Sequence, residues 1–211
     1  MAKVLVIRLS AIGDVAMTVP VIYSAAKANP EDSFTVLTQA FLMPLFMNRP
    51  PNVEVIGINT KGAEKGLIGL LKFISALLKF DFDVILDLHN VIRTIIICTF
   101  FRLNGKRVFV LDKARKERKR LTAIKGKRLY PLRPVIVRYA DVFRAAGLNY
   151  TETFTSLYEE SPAELSGMAS VAGIKKGKWI GVAPFAKHRG KIYPVDEMEP
   201  VSYTHLTLPT T

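Results

Sequence analysis

Residues 4–22, VLVIRLSAIGDVAMTVPVI, decide the fold. An apolar run of strand length, Val4 to Ile7, breaks at Arg8 and passes through Ser10-Ala11-Ile12-Gly13-Asp14 into a segment of helical period. A continuous apolar run that ends in a turn reads as a strand buried on both faces, the form used by parallel sheets. The same alternation recurs downstream. Strands are predicted at 4–9, 34–38, 53–58, 82–88 and 107–111, with helices between them. The clearest helix is predicted from Leu67 to Phe80, with Leu67, Leu70, Leu71, Ile74, Leu77 and Leu78 on one face. Such a pattern implies an α/β fold, a parallel sheet wound with right-handed crossovers. The first 110 residues read as a Rossmann-type domain.

Composition agrees with a folded protein. Of 211 residues, 49% are hydrophobic and 23% charged, too apolar for a disordered chain. The single cysteine, Cys98, lies in an apolar run and excludes both a disulfide framework and a cysteine-based zinc site. Its expected role is that of a small buried hydrophobe. The longest apolar candidate for a membrane span, Thr94 to Phe101, is bracketed by Arg93 and Arg102 and falls short of the ~18 residues required. Arg8 and Gly13-Asp14 interrupt the amino-terminal run early, which argues against a signal peptide.

The net charge of +12 is concentrated in one place. Residues 113–128, KARKERKRLTAIKGKR, hold nine Lys or Arg and one Glu, a local +8 that leaves only +4 elsewhere. Such a run is either a solvated mobile loop or a phosphate-contacting surface, for nucleic acid, nucleotide or an anionic membrane. After it, Pro134 to Gly147 reads as a helix with proline at its start and glycine at its stop. Residues 149–177 read as a crossing segment, with a short helical stretch near 163–171. Residues 178–184 read as a fresh strand and turn, the opening of a second α/β domain. From Pro200, VSYTHLTLPTT is uncharged and lacks helical period. It resembles the translated adaptor sequence found at broken ends of metagenomic reading frames, so 200–211 are expected to be a non-native tail. The predicted organisation is therefore 1–148 as a Rossmann-like domain, 149–177 as the crossing segment, 178–199 as the truncated start of a second α/β domain, and the tail.

Three constellations could carry chemistry. Ser10, Gly13 and Asp14 follow the first strand, where open α/β sheets bind ligands beside helix N-termini. Asp14 is open to two readings, a helix cap or a general base that takes a proton from an attacking hydroxyl. Thr18 and Pro20 add a second helix start, and the helix either begins near Asp14 and kinks or begins at Pro20. No GxGxxG follows the strand, so a standard dinucleotide fingerprint is absent. The second constellation, Lys187, His188, Arg189 and Lys191, is a solvated loop or a diphosphate cradle. His188 has no second metal-ligand candidate at useful spacing, so no metal site is expected. The third, Asp87-Leu88-His89-Asn90 with Arg93, either caps the next helix or lines the crevice of Asp14.

Together these segments resemble the family 9 glycosyltransferases, the ADP-heptose:lipopolysaccharide heptosyltransferases of Gram-negative bacteria. The opening VLVIRLSAIGDVAMTVPVI carries the family's N-terminal signature, DVILDLHNVIRT resembles its fourth-strand segment, and APFAKHRGKIYP the start of its donor domain. The resemblance covers residues 3–199. It implies two facing Rossmann-like domains (GT-B) and an inverting transfer that needs no metal or covalent intermediate. It implies no cofactor, with ADP-heptose as donor substrate. On this resemblance Asp14 is the general base, and Lys191, Lys187 and Arg189 hold the donor diphosphate. Ser10, Gly13, His89 and Arg93 are acceptor-side candidates.

The implied partners are a nucleotide sugar and the lipopolysaccharide inner core. Arg118, Lys119 and Arg120 would contact the anionic inner leaflet of the inner membrane, from a cytoplasmic, peripheral position. The chain departs from the family in lacking nearly all of the donor domain, its glycine-rich segments included, so as given it is expected to be inactive. Two alternatives remain at this level: a transferase for a different sugar nucleotide, and a basic nucleic-acid-binding module. The basic run has no interleaved aromatics and no recognised nucleic-acid motif, so no nucleic-acid partner is expected.

Overall fold

The computed structural model of the chain describes residues 1–62, 64–127, 129–158, 173, 180–186 and 188–206. It divides into two compact units, 1–161 and 162–211.

In the first unit five parallel strands, β1 Lys3–Ile7, β2 Ser33–Gln39, β3 Val53–Ile58, β4 Val84–Asp87 and β5 Arg107–Val110, form a single sheet in the order β3-β2-β1-β4-β5. The interval between β1 and β4 is where the winding reverses. Adjacent residues of β1 serve opposite cores: Val4 and Val6 face one layer, Leu5 and Ile7 the other, and all are fully buried. That two-sided burial is why the strand reads as an unbroken apolar run. On the first face lie α1 Ile12–Ala16, α2 Val19–Ala28 and α6 Val135–Ala145. On the second lie α3 Gly66–Leu78 and α4 Ile92–Leu103.

The break after α1 follows from proline chemistry. Pro20 has no N–H to offer the preceding turn, so the helix stops at Ala16 and restarts at Val19. Thr18 closes the gap, its hydroxyl donating to the Val15 carbonyl at 2.7 Å. At the far end of α6, Gly147 takes φ +84°, and the Leu148 N–H reaches back to the Phe143 carbonyl at 3.1 Å. This is a glycine C-cap, as its sequence predicts.

Two expectations change in this unit. Of the six apolar residues assigned to one face of α3, only Leu70, Ile74 and Leu77 are buried, whereas Leu67 and Leu71 are exposed. The helix has α4 as its neighbour on that face and rests on one narrow i, i+4, i+7 stripe. The basic run is not all loop: Arg115–Leu121 forms α5, entered through Ala114 at φ +49°. The six residues from Arg115 to Arg120 are all exposed and charged, and Arg128 lies outside the described residues.

Residues 149–158 run back over α2. Backbone N–H groups of Thr153 and Phe154 donate to the Ser24 hydroxyl at 3.1 and 3.2 Å, and Phe154 meets the Tyr23 ring edge-on. The short helix expected near 163–171 lies outside the described residues.

In the second unit the strand expected at 178–184 is not formed where the chain is described. Ile180 to Ala186 have no regular structure, and Lys178 and Trp179 lie outside the described residues. A strand needs a partner for its backbone groups, and none is described in this unit. Arg189–Lys191 make a 3₁₀ turn, and α7 runs Val195–Leu206. That helix passes through Pro200, contrary to the expectation that helical structure ends there, and the Thr204 hydroxyl donates to the Pro200 carbonyl at 2.8 Å. Pro200 loses one intrahelical donor while its φ remains compatible with a helix.

Candidate functional site

The winding reversal leaves a crevice at the carboxyl ends of β1 and β4, the position where open α/β sheets bind ligands. A cleft of about 530 Å³ occupies it, within the range of small-molecule sites. Ser10 and Asp14, from the segment after β1, and His89, after β4, line one side; Lys113, Arg118, Arg138 and Tyr139 line the other.

Asp14 is held by Arg8. The guanidinium Nη2 lies 2.6 Å from Asp14 Oδ2, and its Nη1 donates to the Leu88 carbonyl at 2.6 Å. Arg8 is buried whereas nearly half of the Asp14 side chain is open to solvent. The arginine is thus a fixed anchor from which the carboxylate projects. Asp14 is not the cap of α1: that position is Ala11, which makes no side-chain cap bond. The capping reading of Asp14 is corrected because its carboxylate turns to Arg8.

Asp87 is completely buried at the end of β4. Its Oδ1 accepts from the backbone N–H groups of His89 and Asn90 at 2.9 and 2.8 Å, and its Oδ2 from the Thr94 hydroxyl at 2.8 Å. These bonds shape the β4–α4 turn and set His89 in the cleft, with Nε2 3.4 Å from the Ser10 hydroxyl. The cap of α4 is Val91, so the capping reading of this segment is corrected: Asp87 ties the β4–α4 turn to Thr94, and His89 lines the crevice.

The cleft is strongly cationic. Arg8, Lys113, Arg118 and Arg138 face it against the single carboxylate of Asp14. Burial, reinforced by Arg8 and Lys113, lowers the His89 imidazole to about 4, so it is neutral at physiological pH. Burial, with Arg115 and Arg8 nearby, also lowers Lys113. Tyr139 is raised, mainly by burial. Arg8 Nε, His89 Nδ1, Arg138 Nε and the Tyr139 hydroxyl are buried without a hydrogen-bond partner among the described residues. Each belongs to a residue lining this cleft. An unpaired buried polar group is unfavourable, so these four atoms leave the cleft wall incompletely satisfied.

The sequence-predicted residues are distributed as follows. Ser10, Asp14 and His89 are together, and Arg118 joins them from α5, whereas Lys119 and Arg120 are exposed along the same helix. Gly13 lies in α1 with open space where a Cβ would be, so no close backbone approach demands glycine. Arg93 does not line the cleft. Its Nη1 donates to the Glu64 carbonyl at 3.1 Å, because the first turn of α4 faces the β3–α3 loop. Arg189 and Lys191 are exposed in the second unit, and Lys187 lies outside the described residues. Among the described residues no three His, Cys, Asp or Glu side chains are grouped to hold a metal ion.

Sequence reasoning missed Arg8, Lys113, Arg138 and Tyr139. Arg8 carried a signal as a charged residue directly abutting a buried strand, and Lys113 carried one as the first residue of the basic run. Arg138 and Tyr139 are ordinary helix positions until the fold brings α6 beside β1.

No family model matches the sequence, and no curated protein matches it. Among solved structures the chain is similar to the glycosyl transferase family 9 protein of Veillonella parvula DSM 2008. The TM-score is 0.70 at 20% identity, over 96% of this chain and 59% of that one. It is also similar to E. coli heptosyltransferase WaaC with ADP, at TM-score 0.50 and 22% identity over 73% of this chain and 49% of that one. WaaC with ADP-2-deoxy-2-fluoro heptose gives TM-score 0.50 and 21% identity, over 74% and 51%. The chain thus spans about three fifths of the first structure and half of the others. At these identities the shared property is the fold, an α/β Rossmann-like sheet.

Proposed function

We propose that this chain is the acceptor-binding half of an inverting glycosyltransferase that moves heptose from ADP-heptose to the lipopolysaccharide inner core. The observation that carries the reading is Asp14, anchored by Arg8 at the lip of a cationic cleft at the carboxyl end of β1. Likeness in fold to a family 9 glycosyltransferase and to a heptosyltransferase with ADP supports it.

The roles follow from charge. Lys113, Arg118 and Arg138 would bind carboxylates or phosphates of the acceptor, and Ser10 and neutral His89 would position its sugar hydroxyls. Arg8 engages Asp14 Oδ2, and no other partner of this carboxylate occurs among the described residues. The carboxylate therefore keeps an oxygen for the acceptor hydroxyl, from which it takes the proton as the oxygen attacks the anomeric carbon. The new C–O bond forms on the face opposite the diphosphate, the bond to the phosphate oxygen breaks, and ADP departs with that electron pair. Lys191, with Lys187 and Arg189, would neutralise the departing diphosphate. No metal or cofactor is required by this scheme. Arg118, Lys119 and Arg120 on α5 would bring the enzyme to the anionic face of the inner membrane.

The test is a transfer assay on the uninterrupted reading frame that encodes this chain, with a panel of sugar nucleotides. Heptose transfer that falls by roughly 10²–10⁴-fold in Asp14→Asn is the expected result. Preference for another sugar nucleotide would replace the donor while retaining the reaction, and full activity in Asp14→Asn would remove the base.

A further inference from the structure

The helix α3, GLIGLLKFISALL, has nine apolar residues in thirteen and a single charge, Lys72. Only three of the nine, Leu70, Ile74 and Leu77, are buried. Leu67 and Ile68 are 60% and 74% exposed, and Leu71 adds to the same outward surface. Beside it, α4 begins with Ile92 at 80% exposure, followed by Ile95. The Arg93 bond to the Glu64 carbonyl ties the amino ends of the two helices together. Scattered exposed apolar residues are normal, but a group of this size on two adjoining helix ends marks an interaction surface.

We propose that the amino-terminal half of α3, with the start of α4, is a membrane-docking surface that inserts into the interface of an anionic lipid bilayer. Charge selects that occupant. Lys61 and Lys65 before α3, Lys72 within it and Lys79 at its end are all exposed. Glu64, the one acid between residues 59 and 80, already accepts from the Asn59 N–H at 2.8 Å. A leaflet of acidic lipids complements an apolar surface flanked by lysines. A second copy of the chain would set those lysines against each other, within a protein that already carries +12. At thirteen residues α3 is about 20 Å long, short of the ~30 Å hydrocarbon core, so it lies in the interface and does not span.

Because α3 follows β3 and α4 follows β4, both amino ends stand at the carboxyl edge of the sheet, the edge that carries Asp14. On the transferase reading this presents the cleft to a lipid-anchored acceptor. The docking itself does not depend on that reading, and its test uses no sugar.

The test is cosedimentation of the 211-residue chain with vesicles of phosphatidylcholine alone or mixed with phosphatidylglycerol. Binding is expected to the mixed vesicles and to be weak on phosphatidylcholine. The triple variant Leu67→Gln, Ile68→Gln, Leu71→Gln should bind roughly tenfold more weakly or worse. Its thermal melt should match the wild type, since all three side chains are exposed. Lys72→Gln should weaken binding by about fivefold. Two results would overturn the proposal. One is triple-variant binding equal to the wild type, which would assign attraction to the basic run 113–128. The other is no binding to acidic vesicles together with a concentration-dependent dimer that the triple variant abolishes.

Discussion

Arg8 and Asp14 form a salt bridge of 2.6 Å in which the arginine is buried and the carboxylate is half open to solvent. The asymmetry separates two roles. Arg8 holds structure through the Leu88 carbonyl, whereas Asp14 faces the cleft. Arg8→Met is expected to destabilise the chain by about 1–3 kcal/mol, because that carbonyl and Asp14 both lose their donor. Asp14→Asn should change stability by less. Urea denaturation of the two variants measures the difference.

Asp87 accepts three hydrogen bonds in a fully buried setting. Asp87→Ala leaves two backbone N–H groups without an acceptor, while the Thr94 hydroxyl keeps the Val91 carbonyl, and the expected loss is roughly 2–4 kcal/mol. Thr94→Val removes one of those bonds and should lose about 1 kcal/mol. If both variants unfold at the same urea concentration, the turn is not held by Asp87.

His89 gives a pH dependence with a definite sign. Its pKa in the folded chain is about 4, below the ordinary 6.5, because burial and the charges of Arg8 and Lys113 disfavour the cation. The unfolded chain therefore takes up a proton first as pH falls, so stability is present above pH 6.5 and lost progressively down to about 4. In His89→Gln that part of the slope should vanish. An imidazole NMR titration of His89 with a midpoint near 6.5 would contradict the assignment.

Cys98 is buried between α4 and the sheet, and burial pushes its thiol up to about 12. A neutral, inaccessible thiol should resist a maleimide in the native chain and react only at the rate of unfolding. Rapid labelling of folded protein would show that α4 opens locally.

Five strands were legible because each is a short apolar or β-branched run; two-sided burial marks β1 and β4 most strongly, whereas the edge strands β3 and β5 keep exposed Glu54 and Arg107. The α1–α2 break was left open because Thr18 and Pro20 offer a second helix start; the missing Pro20 N–H ends α1 at Ala16, and Val15 and Val19 then pack into one core. The outward face of α3 was not legible: apolar composition suggested more burial than a helix resting on one stripe receives. In the site, Ser10, Asp14 and His89 could be named from their places after strands. Arg138 and Tyr139 could not, because they reach the cleft through the crossing of α6 over the sheet, a relation with no local signature.

Within the basic run, position separates recognition from general attraction. Arg118 lines the cleft, whereas Lys119 and Arg120 do not. Arg118→Glu should weaken binding of a carboxylated inner-core oligosaccharide by roughly tenfold or more, against a few-fold for Lys119→Glu or Arg120→Glu. Equal losses in all three would mean that only the summed charge matters. Isothermal titration at two salt concentrations distinguishes the cases.

The most direct measurement is an NMR titration of the isotope-labelled chain with that oligosaccharide, following the resonances around the cleft. Saturable shifts centred on Asp14, His89 and Tyr139, and lost in Arg138→Glu, are the predicted result. Saturation confined to other surfaces, or no shift at these three residues at millimolar ligand, would contradict the assignment of the cleft as an acceptor site.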